Sequence, residues 1–200
     1  MTGTAAQTEP IRLLAIGGSA REESRTRMAM EAILALASGH DIIPTIATVH
    51  DLDLPVYNDD IPLDGQPESL RRLVHQVREA DAYLICSPTY HGSMSGAIKN
   101  VLDSLHVRHG QPDAYFQGLP VALASYGGPT AISAVNALQT VVRVMQGVIV
   151  PTVVTVSRDA LDPSTGAITD EKRLRRADRM LGEVARMVAM QQAFDAGTGA

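Results

Sequence analysis

Two short stretches of the sequence place small, hydroxyl-bearing and charged residues directly after apolar runs. The first follows the run Ile11–Ile16 and reads Gly17-Gly18-Ser19-Ala20-Arg21-Glu22-Glu23-Ser24-Arg25-Thr26. Its hydroxyls and its two guanidinium groups are hydrogen-bond donors that suit a phosphate. The helix predicted from Thr26 onward would add free backbone N–H groups and the positive end of its dipole. This loop therefore predicts a phosphate-binding site.

The second stretch follows the apolar run Ala82–Cys86 and opens a helix. It reads Ser87-Pro88-Thr89-Tyr90-His91-Gly92-Ser93-Met94-Ser95-Gly96-Ala97-Ile98-Lys99-Asn100. A proline, an aromatic ring, hydroxyls and a glycine within six residues exceed what a short connection between a strand and a helix needs. A third loop, Ser125-Tyr126-Gly127-Gly128-Pro129-Thr130, follows another apolar run. Glycines allow backbone groups to approach a flat ligand, so both loops are candidates for contacting a ring.

Apolar runs alternate with amphipathic segments along the chain. The predicted strands are Ile11–Ile16, Ile42–Val49, Ala82–Ser87, Leu119–Ser125 and Val148–Val156, and the predicted helices are Thr26–Ala37, Glu68–Ala80, Gly96–Leu105, Ala131–Gln146 and Glu171–Gln192. This alternation predicts an α/β fold, a flavodoxin-like three-layer sandwich with a five-stranded parallel sheet in the order 2-1-3-4-5. In that order the loops after the first and third strands flank the point where ligands bind in such sheets.

Composition limits the class of protein further. The chain has 200 residues, 45% hydrophobic content and a net charge of −5, which fits one domain over 1–200 with flexible tails at 1–10 and 193–200. The absence of a long basic run argues against nucleic-acid binding. Cys86 is expected to be a packed thiol, and the histidines show no metal-ligand spacing. With no apolar leader and no membrane-length apolar run, we expect a cytoplasmic protein.

A ligand with a phosphate at one end and a planar ring at the other would contact all three loops, and FMN has this shape. The G-x-x-x-x-G-K-[ST] and G-x-G-x-x-G motifs are both absent, which disfavours a nucleoside-triphosphate site and a dinucleotide-binding Rossmann site. Hydride transfer between two stacked rings requires orientation and exclusion of water rather than an acid or a base. We therefore predict no catalytic residue in the acid–base sense.

The motifs Gly18-Ser19-x-Arg21-x-x-Ser24 and Ser87-Pro88-x-Tyr90-x-Gly92-Ser93-x-x-Gly96-x-x-Lys99-Asn100-x-x-Asp103 resemble those of the NADPH-dependent FMN reductase family. The resemblance extends to about Val156. It implies that the phosphate is held by Ser19, Arg21, Ser24 and Thr26. Independently of the resemblance, Arg25 supplies further positive charge to the same loop. It also implies that the ring and ribityl chain lie against Pro88, Thr89, Tyr90, His91, Gly92 and Ser93, and that the far edge of the ring is covered by Ser125, Tyr126, Gly127 and Gly128. Family members often carry Asn, Glu and Asn where this chain has Thr26, Thr89 and His91.

By this resemblance the chain is expected to be an oxidoreductase that passes hydride from NAD(P)H to FMN and then reduces a small acceptor. The sequence leaves the acceptor open among free flavin, quinone, azo dye, metal oxyanion and a dedicated monooxygenase partner. The alternative is a non-catalytic FMN-binding electron carrier. Small electron carriers usually have a dense acidic face for docking, whereas the acidic residues of this chain are dispersed, which disfavours this alternative.

The sequence also predicts a homodimer, or a homotetramer built from dimers. Two helices carry more apolar residues than one face of the sheet requires: Ile98, Val101, Leu102, Leu105, Ile132, Val135, Leu138, Val142 and Met145. The family resemblance implies pairing through the helix after the second loop, near Lys99 and Asp103.

Overall fold

The computed structural model describes residues 9–198, which form a parallel sheet with helices on both faces. The strands are β1 (Ile11–Gly17), β2 (Ile42–Thr48), β3 (Ala82–Tyr90), β4 (Ser93–Met94), β5 (Pro120–Tyr126) and β6 (Val148–Val156). The helices are α1 (Arg25–Leu34), α2 (Val49–Leu52), α3 (Glu68–Glu79), α4 (Gly96–Ser104), α5 (Ala131–Val144) and α6 (Glu171–Thr198). The parallel strands lie in the order β2-β1-β3-β5-β6, which confirms the predicted order and fold class.

The central strands are apolar on both sides because each side is covered by helices. On one face, Leu13 and Ala15 of β1 pack in a core with residues of α1 and α6. On the other face, Leu14 and Ile16 pack in a core with residues of α3, α4 and α5. The first seven residues of β3 are all buried, which explains its continuous apolar sequence. In β1, β3 and β5 the residues with polar side chains therefore lie mainly toward the ends of the strands.

The sheet has six strands, so the prediction of five was wrong by one short strand. The predicted loop after Ser87 instead continues β3 to Tyr90, which turns back through His91 and Gly92 and pairs antiparallel with β4. His91 (φ 50°) and Gly92 (φ 75°) both have left-handed backbone conformations, as in the tight two-residue turns of hairpins. Histidine is a weaker signal for such a turn than asparagine, so the sequence pattern did not reveal this hairpin.

Several element boundaries differ from the predicted ones. Val49, predicted as the end of a strand, begins the single turn α2, because the Thr48 side chain accepts a hydrogen bond from the Asp51 N–H at 3.0 Å. Helix α1 ends at Leu34 rather than Ala37, and a short 3₁₀ helix follows over Ala37–His40. Helix α6 continues past Gln192 to Thr198, so residues 193–198, predicted as part of a tail, are helical. The rest of the two predicted tails lies largely outside the described residues.

The apolar residues that motivated the prediction of a dimer belong to the core of a single chain. Of the nine listed above, the structure buries all but Ile132, which is 46% exposed. They pack against the sheet face formed by residues such as Tyr83 and Ile85. The argument from surplus apolar surface on these helices is therefore wrong.

Cys86 lies in β3 and is fully buried, as predicted. Burial raises the pKa of its thiol to about 12, so this thiol is neutral at physiological pH and is not a nucleophile.

Within residues 9–198, no helix combines the length and apolarity needed to cross a membrane.

Gly17, at the end of β1, provides a test of how tightly the loop after β1 is anchored. A Cβ at this position would lie 2.9 Å from the backbone oxygen of Cys86 and 2.5 Å from Sδ of Met30. We expect Gly17→Ala to lower the free energy of unfolding by about 1–3 kcal/mol in urea denaturation, because the backbone oxygen cannot move aside as a flexible side chain can. Gly39→Ala is the matched control, since a Cβ there meets nothing within 4 Å. Equal stability of the two variants would contradict the close approach.

Candidate active site

The loop after β1 has two buried hydroxyls and two exposed guanidinium groups. Ser19 and Ser24 are both buried, and Oγ of Ser19 donates a hydrogen bond to Oγ of Ser24 at 3.0 Å. Ser24 caps α1 by accepting from the N–H of Arg27 at 3.2 Å. Its backbone oxygen accepts from Met28 at 3.0 Å. The N–H groups of Arg25 and Thr26, the first two residues of the helix, have no such partner and are left for a ligand.

The guanidinium groups of this loop have no carboxylate partner. Arg21 and Arg25 are exposed, and within the part of the chain that the structure describes neither side chain makes an ion pair or a hydrogen bond. Arg27, on the same helix, is by contrast bonded to Glu31 at 2.8 Å. Two unpaired cations beside free N–H groups at a helix start form an arrangement suited to an anion.

Hydroxyl groups fix the end of β3 and the hairpin that follows it. Oγ of Ser87 donates to the backbone oxygen of Pro88 at 2.8 Å and accepts from the N–H of Ser95 at 3.0 Å. Ser95 in turn caps α4 by accepting from the N–H of Ile98 at 3.1 Å. The position of the Pro88–Tyr90 backbone is therefore tied to the start of α4.

The loop after β5 packs directly against this hairpin. Oγ1 of Thr89 lies 3.0 Å from Oγ of Ser125, and a Cβ on Gly127 would lie only 3.1 Å from Oγ1 of Thr89. The N–H of Gly127 donates to the backbone oxygen of Val156 at 3.0 Å. Glycine at 127 thus permits the loop after β5 to approach the hairpin closely. The hydrogen bond to Val156 of β6 holds the loop after β5 in place.

These loops enclose one cavity of about 490 Å³ at the carboxyl edge of the sheet, which we call the flavin cavity. Ten of the predicted site residues line it: Ser19, Arg21, Ser24, Arg25, Thr26, Pro88, Thr89, Tyr90, Tyr126 and Gly127. Its size lies within the usual range for small-molecule sites. The structure thus brings the predicted phosphate loop and both predicted ring loops to one place.

Five predicted site residues do not line the flavin cavity. His91, Gly92 and Ser93 are exposed at the tip of the hairpin, and Ser125 is fully buried behind Thr89. Gly128 lines a neighbouring cavity instead. As ligand contacts, all fifteen predicted residues remain predictions, but only the ten that line the cavity are positioned for direct contact.

The sequence analysis missed one wall of this cavity. The segment after β6 contributes Arg158, Leu161 and Pro163, and the loop and first turns of α1 add Glu23 and Met28. The sequence predicts a strand that ends at Val156 and a helix that begins at Glu171, and it predicts only a connecting loop between them. A signal was available, because the loops after all parallel strands emerge at the same edge of the sheet, and Arg158 follows β6 by two residues.

The chemistry of the cavity fits FMN. Hydroxyls, unpaired guanidinium groups and free N–H groups lie at the β1 end, which suits the phosphate. Proline, tyrosine and glycine backbone lie at the β3 and β5 ends, which suits a flat ring and its polar edge. Among the described residues, no group of three or more His, Cys, Asp or Glu side chains could hold a metal ion.

Comparison with known proteins gives a consistent assignment. Residues 11–160 match the model of the family described as NADPH-dependent FMN reductase. The chain is 34% identical over 120 residues to a quinone reductase of Pseudomonas putida strain KT2440, covering 60% of this chain and 61% of that protein. It is 32% identical over 133 residues to an NADPH azoreductase of Bacillus sp. strain OY1-2, covering 64% and 66%. The matches therefore span less than two thirds of the length of these curated relatives.

Solved structures agree with the observed topology. The flavoenzyme FerB of Paracoccus denitrificans, an NAD(P)H:acceptor oxidoreductase, superposes with a TM-score of 0.74 at 26% identity, covering 90% of this chain and 98% of FerB. A flavodoxin from the domain Archaea superposes with a TM-score of 0.58 at 15% identity, over 90% of this chain and 99% of that one, and this likeness shows the fold alone. Because the family model covers most of the chain, including all three ligand loops, this protein belongs to the NADPH-dependent FMN reductase family.

Proposed function

We propose that this chain is an NAD(P)H-dependent oxidoreductase that uses FMN to reduce a small acceptor. The observation that carries the proposal is the flavin cavity itself, which combines an anion-binding loop with two ring-binding loops at one edge of the sheet. Bound FMN would supply the capacity to take up hydride and return electrons. The protein binds, orients and shields the ring.

The residues around the cavity support the proposal that FMN supplies the redox chemistry while the protein binds and orients it. Ser19, Ser24 and Arg21 hold the phosphate end, while the hairpin and the Ser125–Gly128 loop, locked together through Thr89, give the ring a fixed platform. Tyr90 is 51% exposed and shapes the entrance through which coenzyme and acceptor come. The neighbouring thiol of Cys86 takes no part, because burial raises its pKa to about 12.

The acceptor is proposed to be a quinone or an azo compound. Curated relatives with these activities are about one third identical to this chain, although the matches cover only part of their length. Thr89 lines the flavin cavity and His91 is exposed at the tip of the adjoining hairpin, so both lie near the proposed entrance for the acceptor. A dedicated monooxygenase that takes the electrons is the alternative to a small acceptor.

Anaerobic reduction of the flavin tests the proposed activity. We expect NADPH or NADH in excess to bleach the visible absorbance of the FMN-loaded protein, and a quinone or an azo dye to restore it. Riboflavin with the same coenzyme but no protein is the control. If neither coenzyme bleaches the loaded protein within minutes while a reduced protein donor does so, the protein is an electron carrier and the reductase proposal is wrong.

Removing Arg21 tests the assignment of the phosphate loop. We expect Arg21→Ala to weaken FMN binding about ten- to a hundredfold in calorimetric titration, because a charge-assisted hydrogen bond contributes roughly 1.5–3 kcal/mol. Riboflavin, which lacks the phosphate, should bind nearly as before. Arg72→Ala is the matched control, since Arg72 is an exposed arginine of α3 that lines no cavity described above. An equal loss for FMN and riboflavin would place the phosphate elsewhere.

We also propose that the protein forms a dimer through the surface between α4 and α5. A groove of about 730 Å³ lies there, lined in part by Pro112, Val141 and Val144. At its rim, Lys99 and Asp103 form an exposed ion pair at 2.6 Å. A copy related by a two-fold axis would place opposite charges of this rim against each other, so a second copy of the chain fits the groove.

Val144 allows the dimer to be tested. It is 77% exposed, and we expect Val144→Lys to convert a dimer into a monomer of 21.3 kDa in light scattering at micromolar concentration. Val56→Lys, at a position that is 87% exposed and outside the groove, should leave the dimer intact. A monomeric wild-type protein would overturn the proposal, as would a dimer that tolerates Val144→Lys.

A further inference from the structure

Arg158 is a third unpaired cation at the flavin cavity. It begins the short 3₁₀ helix Arg158–Ala160 directly after β6, and its side chain is exposed. Within residues 9–198 its side chain makes no ion pair and no hydrogen bond, whereas the side chain of Arg173, which lines the cavity next to it, makes both. Arg173 is bonded to Asp170 at 2.8 Å and to the backbone oxygen of Thr155 at 3.1 Å. The Arg158 guanidinium is therefore free to bind a ligand.

A second cavity of about 430 Å³ adjoins the flavin cavity at this residue. Three residues line both cavities: Tyr126, Gly127 and Arg158. The two cavities therefore adjoin at the Ser125–Gly128 loop. The second cavity also contains Arg173 and one carboxylate, Asp159. Arg158 forms no ion pair with Asp159 or with any other carboxylate among residues 9–198.

The position of Arg158 in the sheet separates it from the phosphate loop. Strands β3 and β5 lie between β1 and β6, so the bases of the two loops are three strand spacings apart, or about 14 Å. Arg21, Arg25 and the start of α1 already provide the charge and donors for one phosphate monoester at the β1 end. Arg158 therefore adds a further cation to the flavin cavity, on the loop that follows β6.

We propose that Arg158 binds a phosphate group of the adenosine half of NAD(P)H and that the second cavity receives that half of the coenzyme. This inference rests on the proposed function, because it requires the nicotinamide to lie against the ring in the flavin cavity. The phosphates of the coenzyme must then leave the cavity past its edge, and on one side that edge is formed by Tyr126, Gly127 and Arg158, which line both cavities. The planar fork of a guanidinium suits bidentate bonding to a phosphate.

The coenzyme offers two phosphate groups that Arg158 could bind, and an experiment can distinguish between them. The pyrophosphate is present in both NADH and NADPH, whereas the 2′-phosphate is present in NADPH alone. Calorimetric titration of the oxidised, FMN-loaded protein with NAD⁺ and with NADP⁺ distinguishes them. A loss confined to NADP⁺ assigns Arg158 to the 2′-phosphate, and an equal loss for both assigns it to the pyrophosphate.

The test compares Arg158→Ala with two other variants. We expect Arg158→Ala to raise the Kd for NADP⁺ about tenfold while the Kd for FMN stays within twofold of wild type. In stopped flow, the half-saturating NADPH concentration should rise by a similar factor while the limiting rate of bleaching stays unchanged. Arg158→Lys, which keeps the charge and loses the fork, should give an intermediate loss.

Arg186→Ala is the matched control and should behave as wild type. Arg186 is exposed on α6, which runs antiparallel to β6, and it lies beyond Glu183, the residue that bonds the N–H of Thr152 at 2.7 Å. It therefore lies far from the carboxyl edge of the sheet.

Three results would overturn the proposal, and they identify what failed. If Arg158→Ala binds both coenzymes as tightly as wild type does, the second cavity does not use Arg158. If the Kd for FMN rises instead, Arg158 belongs to the flavin phosphate. If the wild-type protein neither binds NADP⁺ or NAD⁺ nor is bleached by NADPH or NADH, the proposed function fails together with this inference.

Discussion

The burial of β1, β3 and β5 on both faces is the constraint on which the site depends. A strand covered on both sides must carry apolar side chains and must satisfy its N–H and C=O groups in the ladder, because unpaired polar groups away from water are costly. The parallel pairing of β1 with β3 and of β3 with β5 meets this requirement. Chemistry is consequently confined to the strand ends, where the chain meets water and where all the ligand loops emerge.

Parallel pairing also fixes where those loops lie relative to one another. Gly17 is aligned with Cys86 in the pairing of β1 with β3, and Ser87 is aligned with Ser125 in the pairing of β3 with β5. The phosphate loop, the hairpin and the Ser125–Gly128 loop therefore start at nearly the same level of the sheet. The hydrogen bond between Thr89 and Ser125 then joins the two ring loops into one surface.

The unpaired arginines give this edge of the sheet its electrostatic character. Elsewhere many arginines are bonded to acids, as Arg12 is to Asp81 at 2.9 Å, and such pairs leave little field for a ligand. At the flavin cavity, Arg21, Arg25 and Arg158 line the wall without a carboxylate partner among the described residues. A chain with a net charge of −5 thereby presents a locally positive site to anionic ligands.

The sequence by itself determined the fold class, the strand order and ten residues that line the cavity, because buried parallel strands and glycine-rich loops leave strong local patterns. Tertiary structure alone decided the rest. The hairpin at His91 and Gly92 depends on left-handed backbone conformations, and a histidine in the sequence does not predict such a conformation. The burial of Val101 and Leu138 inside one chain depends on packing across the sheet, which periodicity cannot distinguish from packing against a partner. The strand order places the loop after β6 at the carboxyl edge of the sheet, but a loop has no periodic pattern from which its path can be read, so only the tertiary structure shows that Arg158 lines the flavin cavity.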